Sequence, residues 1–128
     1  EMCIRDRLPN LTFAGYVQPD ELKQAYVGCD VYIFPTLEET EGIVLLEALA
    51  AKANVIVRDI PVFDWLKGGT DCYKAKDKDE FERMIKEIYE GKLPSLRENG
   101  RKAVENMDIK KIGEKLVKIY NGTAEGGD

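Results

Sequence analysis

The chain has 128 residues and a net charge of −5, from 24 acidic and 19 basic side chains, with no histidine. This length suits one domain able to bury a core without staples, and the acidic balance provides no basic stripe for phosphates, which argues against nucleic-acid binding. Without histidine, Ser-His-Asp and Cys-His catalysis and most zinc sites are excluded, so acid–base work falls to carboxylates, Lys, Tyr or the substrate itself.

Cys3, Cys29 and Cys72 are odd in number, widely spaced and form no CxxC. That usage fits a reduced, cytoplasmic setting better than a disulfide scaffold. No segment has the length of a membrane-spanning helix and no signal peptide is visible. Attachment to a membrane surface stays open.

Residues 1–7, EMCIRDR, have no clean period and read as a non-native or frayed leader. Next, NLTFAGYV alternates apolar and small residues and predicts a strand over 11–14, stopped by Gly15. QPDELKQAYVGCD opens a helix at Pro19 and Asp20 and ends it at Gly28. DVYIFP is a short apolar strand closed by Pro35, of the kind buried on both faces. A helix over 43–52 follows, and NVIVRD is a second buried strand.

IPVFDWLKGGTD reads as a turn, a short helix and a Gly-Gly loop, with Phe63 and Trp65 as packing residues. CYKA is a brief edge-like strand. DKDEFERMIKEIYEG places Phe81, Met84, Ile85, Ile88 and Tyr89 at helical spacing, with Asp77 as N-cap and Gly91 as the stop. Two further helices come from SLRENGRKAVENM and DIKKIGEKLVKIYNG, and residues 122–128 form a disordered tail. Arg58 and Asp59 read as a weak ion pair at a strand end, and Lys74, Lys76 and Lys78 as a solvated turn. Strands alternating with helices predict an α/β domain with a Rossmann-like, doubly wound parallel sheet, although only about four strands are present, fewer than such domains usually carry.

The stretch PTLEETEGIVLLEALAAK, residues 35–52, carries the chemistry. Gly42 sits where a strand-loop feeds a helix, beyond the carboxyl end of a parallel strand, where open α/β sheets bind ligands. First-turn amides have no partner inside the helix and, with the helix dipole, form an anion site. Glycine there lets a phosphate approach the backbone closely. Glu47 lies five residues on, roughly 7 Å along the axis, with its side chain leaning back towards the helix start. Glu39 and Glu47 can therefore bracket a diphosphate held at Gly42, Ile43 and Val44, and each carboxylate can accept from a pair of sugar hydroxyls.

The Glu-x7-Glu spacing from Glu39 to Glu47, in ETEGIVLLEALA, resembles the retaining, nucleotide-sugar-dependent glycosyltransferases of the GT-B fold. NLTFAGYV and ELKQAYVGCDVYIFPTLEE resemble the stretch before that motif in the family's C-terminal domain. Most members carry Gly-Phe-Gly after the first glutamate. This chain has Thr40-Glu41-Gly42 and keeps only the last glycine. The variant, together with VIVRDIPVFDWL and CYKAKD, is similar to bacterial diacylglycerol glucosyltransferases, which are peripheral membrane enzymes.

The resemblance implies that residues 8–121 are a C-terminal nucleotide-sugar-binding domain whose N-terminal, acceptor-binding domain lies outside this chain. It implies UDP-glucose as donor, a diacylglycerol or monoglucosyl-diacylglycerol acceptor, retention of configuration, and neither metal nor cofactor. It places the enzyme in the cytoplasm, peripheral on the inner face of the cell membrane. Glu39 would be the catalytic-site glutamate contacting the donor hexose, and Glu47 would bind the ribose hydroxyls. Gly42, Ile43 and Val44 would offer amides to the diphosphate, and Tyr16 and Val17 would lie near the uracil. The basic residues that neutralise the diphosphate in the family belong upstream, so this chain by itself is expected to be inactive.

Other readings stand beside this one. Glu38 and Glu41 read as favourable charges near a helix start, and without the surrounding match Glu47 would read as a solvated helix position. A polysaccharide or protein acceptor, or a non-catalytic nucleotide-binding module, are the alternatives to a lipid glucosyltransferase.

Overall fold

Three consecutive apolar residues, Val55, Ile56 and Val57, are at most 1% exposed, and both faces of their strand are covered. Alternate side chains of a strand point to opposite faces. Val55 and Val57 therefore enter one core, with Leu45, Ala48, Leu49, Phe63 and Val104. Ile56 enters a second core, with Tyr73, Ala75, Phe81 and Leu96. The computed structural model describes residues 8–120.

The sheet has three parallel strands in the order β1 (Tyr32–Phe34), β2 (Val55–Arg58), β3 (Tyr73–Ala75). Tyr32 pairs with Val55 and Phe34 with Val57, and Ile56 pairs with Tyr73. Helix α1 (Pro19–Gly28) precedes β1, and α2 (Ile43–Ala50) crosses over to β2. A 3-10 turn at Pro61–Phe63 leads towards β3, followed by α3 (Lys78–Tyr89), α4 (Arg97–Val104) and α5 (Ile109–Tyr120). Helices α2 and α4 cover the first core, and α3 covers the second through Phe81. This is the expected α/β arrangement, a doubly wound parallel sheet consistent with a GT-B C-terminal Rossmann-like unit.

Helix ends follow local chemistry. Asp77 caps α3 by accepting from the Glu80 amide at 2.9 Å, and Gly91 ends it in a left-handed conformation, φ 71°. Helix α2 stops at Ala50, short of the expected Lys52, because Lys52 itself turns left-handed, φ 60°. The Ala53 amide then reaches back to Ala48 O and the Lys52 amide to Leu49 O, closing the end as a Schellman motif. Arginines of α4 take up further carbonyls at helix ends. Arg101 donates to Ala50 O at 2.9 Å, and Arg97 donates to Lys52 O at 3.0 Å and to Cys29 O. A cation at a helix C-terminus also complements the dipole.

Further expectations need correction. Strand β1 is not buried on both faces: Tyr32 and Phe34 pack on the first core, but β1 is the sheet's edge among the described residues and Ile33 is 38% exposed. Residues 11–14 form no strand, so the sheet has three strands. A strand exists only where its amides and carbonyls find a ladder, and the three described strands pair only with one another. Arg58 and Asp59 do not pair, because neighbours on a strand point apart. Arg58 instead donates to Pro35 O at 3.1 Å and Lys76 O at 2.8 Å and lies over the Phe81 ring, while Asp59 meets Lys74 at 3.7 Å. Lys74 is therefore a largely buried strand residue between Asp59 and Asp64, not part of a solvated turn. Trp65 is 38% exposed, whereas Phe63 is fully buried. Residues 1–7 and 122–128, with their expected leader and tail, lie outside the described residues.

Two glycines give opposite predictions. Replacing a helical glycine with alanine usually gains up to about 1 kcal/mol. At Gly100 the new methyl would sit 2.8 Å from Asp71 O and 2.9 Å from Leu49 Cδ2, so Gly100→Ala should lower stability by about 1–3 kcal/mol. Gly113 in α5 has nothing within 4 Å of that position, so Gly113→Ala should raise stability by about 0.5–1 kcal/mol. Urea unfolding of both variants checks this, and a stabilised Gly100→Ala would contradict the packing of α4 on α2.

Burial also sets an alkaline limit. It raises Cys72 from 9.0 to about 12, and burial, with Tyr26 and Glu47 nearby, raises Tyr32 from 10.0 to about 12. Both groups are neutral when protonated, and the folded state keeps its protons to higher pH than the unfolded chain. Their contribution is full below about pH 9 and is lost as pH rises towards 12. The urea midpoint should hold to about pH 9 and fall by pH 10.5. A midpoint unchanged at pH 10.5 would contradict it.

Candidate functional site at the mouth of helix α2

The loop of residues 35–41 leaves the carboxyl end of β1 and must turn to start α2. Thr36 Oγ1 donates to Glu38 O at 2.9 Å, which bends the loop locally. Glu39 Oε1 accepts from the Thr40 amide at 2.9 Å, so this carboxylate is tethered to its own loop. Glu38 and Glu41 are exposed, and neither caps the helix.

Gly42 is the N-cap of α2, buried and left-handed, with φ 71° and ψ 49°. Only glycine takes that conformation without strain. The site also leaves no room: a side chain at 42 would begin 2.9 Å from Phe63 Cε1, 3.2 Å from Phe63 Cζ and 3.5 Å from Glu39 Cγ. Gly42 O accepts from Leu45 N at 2.8 Å and Leu46 N at 3.2 Å. No side chain caps this helix, so the amides of Ile43 and Val44 lack intrahelical acceptors. Both residues are exposed. The mouth of α2 therefore offers backbone donors and the positive end of a dipole to an anion.

Glu47 stands on the exposed side of α2, one turn and a half further along. Its charge reaches Tyr26 and Tyr32, whose hydroxyls burial has already pushed up and Glu47 pushes further. It forms part of an apolar groove of ≈ 450 Å³ between α1 and α2, with Pro19, Leu22, Tyr26 and Ala50. On its other side a more polar recess of ≈ 510 Å³ contains Arg101, Asp108 and Lys111.

The structure thus brings Glu39, Gly42 and the Ile43–Val44 amides together and sets Glu47 on the same helix. Tyr16 and Val17 are not drawn in. Tyr16 is 85% exposed, Val17 is half-buried, and the groove containing Glu47 begins at Pro19. Sequence reasoning missed three contributors. Phe63 forms the floor under Gly42, and Tyr26 and Tyr32, ring centroids 5.4 Å apart, back Glu47. The signal for Phe63 was its place just after the carboxyl end of β2, on the sheet edge that carries Gly42. Nothing in the spacing marked the tyrosines.

Residues 5–107 match the family described as glycosyl transferases group 1. The chain is 41% identical over 118 residues to a processive diacylglycerol alpha-glucosyltransferase of Acholeplasma laidlawii, covering 91% of this chain and 36% of that relative. It is 25% identical over 112 residues to the alpha-galactosylglucosyldiacylglycerol synthase of Streptococcus pneumoniae, covering 87% of this chain and 29% of that protein. It is 35% identical over 79 residues to the O-antigen chain mannosyltransferase RfbU of Salmonella typhimurium, covering 61% of this chain and 22% of that one. The chain thus spans about a third or less of the length of these relatives. A match over most of its length, on a parallel sheet with an open helix mouth at its carboxyl edge, makes this chain a member of the glycosyl transferases group 1 family.

Proposed function

We propose that this chain is the donor-binding part of a bacterial, retaining hexosyltransferase that moves glucose from UDP-glucose to diacylglycerol or monoglucosyl-diacylglycerol. The observation that carries the reading is the pairing of Glu39 with the left-handed Gly42 at an uncapped helix mouth. The amides of Ile43 and Val44, beside the Gly42 backbone, bind the diphosphate. Glu39 accepts from hydroxyls of the hexose, and Glu47 accepts from the ribose pair. Tyr16 and Val17, in the segment before α1, lie near the uracil, a role that rests on the resemblance. The similarity to two diacylglycerol glycolipid enzymes, a glucosyltransferase and a galactosylglucosyldiacylglycerol synthase, supports a lipid acceptor.

The chemistry suits a chain without histidine. The bond from the sugar's anomeric carbon to the phosphate oxygen breaks, and a bond to the acceptor oxygen forms on the same face. The acceptor proton passes to the departing phosphate oxygen, so no side chain need act as base. Amides at the helix mouth stabilise the charge that grows on that phosphate. The acceptor reaches the site through a domain outside this chain, with the enzyme peripheral on the inner face of the membrane. Among the described residues no helix is long and apolar enough to cross a membrane. The similarity to an O-antigen mannosyltransferase favours a polysaccharide acceptor as the second reading.

The test uses the full-length gene product, labelled UDP-glucose and both lipid acceptors. Hydrogen bonds to a charged group contribute about 1.5–3 kcal/mol, and about 1.4 kcal/mol is tenfold. Glu47→Ala should therefore weaken UDP binding by about tenfold to a hundredfold. Glu39→Gln should lower glucose transfer at least about tenfold while UDP, which lacks the hexose, binds as before. Unchanged UDP affinity in Glu47→Ala would remove the ribose role, and unchanged transfer in Glu39→Gln would remove the hexose role.

A further inference from the structure

Phe63 belongs to neither the acidic loop nor helix α2, yet its ring stands at both ends of that loop. Residues 35–41 run from Phe34, the last residue of β1, to Gly42. The Phe63 ring packs on Phe34, with centroids 6.0 Å apart and planes tilted by 59°. Its Cε1 edge occupies the space where a side chain on Gly42 would begin, 2.9 Å away. The ring is fully buried, and its backbone is held by the 3-10 turn after β2, the Phe63 amide donating to Ile60 O and Phe63 O accepting from Leu66 N, both at 3.0 Å. The ring therefore joins the crossover of β1 to the crossover of β2 at the base of the site.

We propose that Phe63 is a positioning residue for the nucleotide-sugar donor: its rigid ring closes the base of the loop 35–41 and so sets where Glu39 and the Ile43 and Val44 amides stand relative to one another. The inference rests on the donor-site reading above and adds a residue from a separate element. An aromatic ring has few rotamers, so it fixes distance as well as filling volume. Leucine fills less of the space, and methionine fills it flexibly. Either leaves the loop free to shift against the helix mouth. A displacement of about 1 Å in a positioned site can cost as much as about a hundredfold.

The experiment is titration of UDP-glucose, which spans Glu39 and the helix-mouth amides, by calorimetry on the full-length gene product, as wild type, Phe63→Leu, Phe63→Met and Leu96→Ala, with a thermal melt of each. Leu96 is buried in the other core, on the far face of the sheet, so Leu96→Ala reports what lost packing alone does. Phe63→Leu and Phe63→Met should each weaken UDP-glucose by about tenfold, while Leu96→Ala lowers the melting temperature and leaves UDP-glucose affinity at the wild-type value. Phe63→Met covers the case in which the leucine variant does not fold. Wild-type affinity in a folded Phe63 variant overturns the inference, as does an equal loss in Leu96→Ala. A wild type that binds no UDP-glucose overturns the donor reading itself, and this inference with it.

Discussion

The structure depends on a strand that cannot touch water. Val55, Ile56 and Val57 are buried on both faces of the sheet, so helices must cover each side. Parallel neighbours can be joined only by crossovers. In this chain the crossovers after β1 and β2 leave from the same edge, the carboxyl ends of the strands. The acidic loop and the Phe63 turn meet because both are obliged to start there. Arg58 fastens that edge from within, tying Pro35 O after β1 to Lys76 O after β3.

A second constraint acts at the loop's far end. The chain must pass under a buried ring and then begin a helix, and the only conformation that does both is left-handed with no side chain. The cost of an uncapped N-terminus follows, since a usual capping side chain contributes about 1 kcal/mol. Leaving the amides of Ile43 and Val44 open gives up that stability where a ligand can supply the acceptor instead. The nearby glutamates are not in conflict with this. Glu39 is tethered by the Thr40 amide beside the mouth, and Glu47 stands a turn and a half along the helix. Both can meet hydroxyls, leaving the mouth itself to the anion.

Much of this was legible in the chain. VIVR read as a buried strand because a strand covered on both faces has no need to alternate. VYIF read the same way and is a strand, but its place at the sheet's edge leaves Ile33 exposed. Asp77 and Gly91 marked α3 through local hydrogen bonding and φ alone. The helix mouth was legible for the same reason, as glycine after a loop and before an apolar run. What failed depended on contacts distant in sequence. The alternation of residues 11–14 indicates a strand's faces but cannot supply its ladder. The neighbours Arg58 and Asp59 suggested a pair that strand geometry separates. Phe63 looked like any core aromatic, since its meaning lies in Gly42, twenty-one residues earlier. Tyr16 and Val17 rest on resemblance and gain no contact with the groove beside Glu47.

The central claim is that the mouth of α2 holds a diphosphate. The most direct measurement is NMR of the backbone amides in the full-length gene product during addition of UDP, with uridine as the control. The amides of Gly42, Ile43 and Val44 should move with UDP, shift downfield as they gain acceptors, and respond far less to uridine. Equal responses to the two ligands, or shifts that leave these three amides in place, would contradict the account.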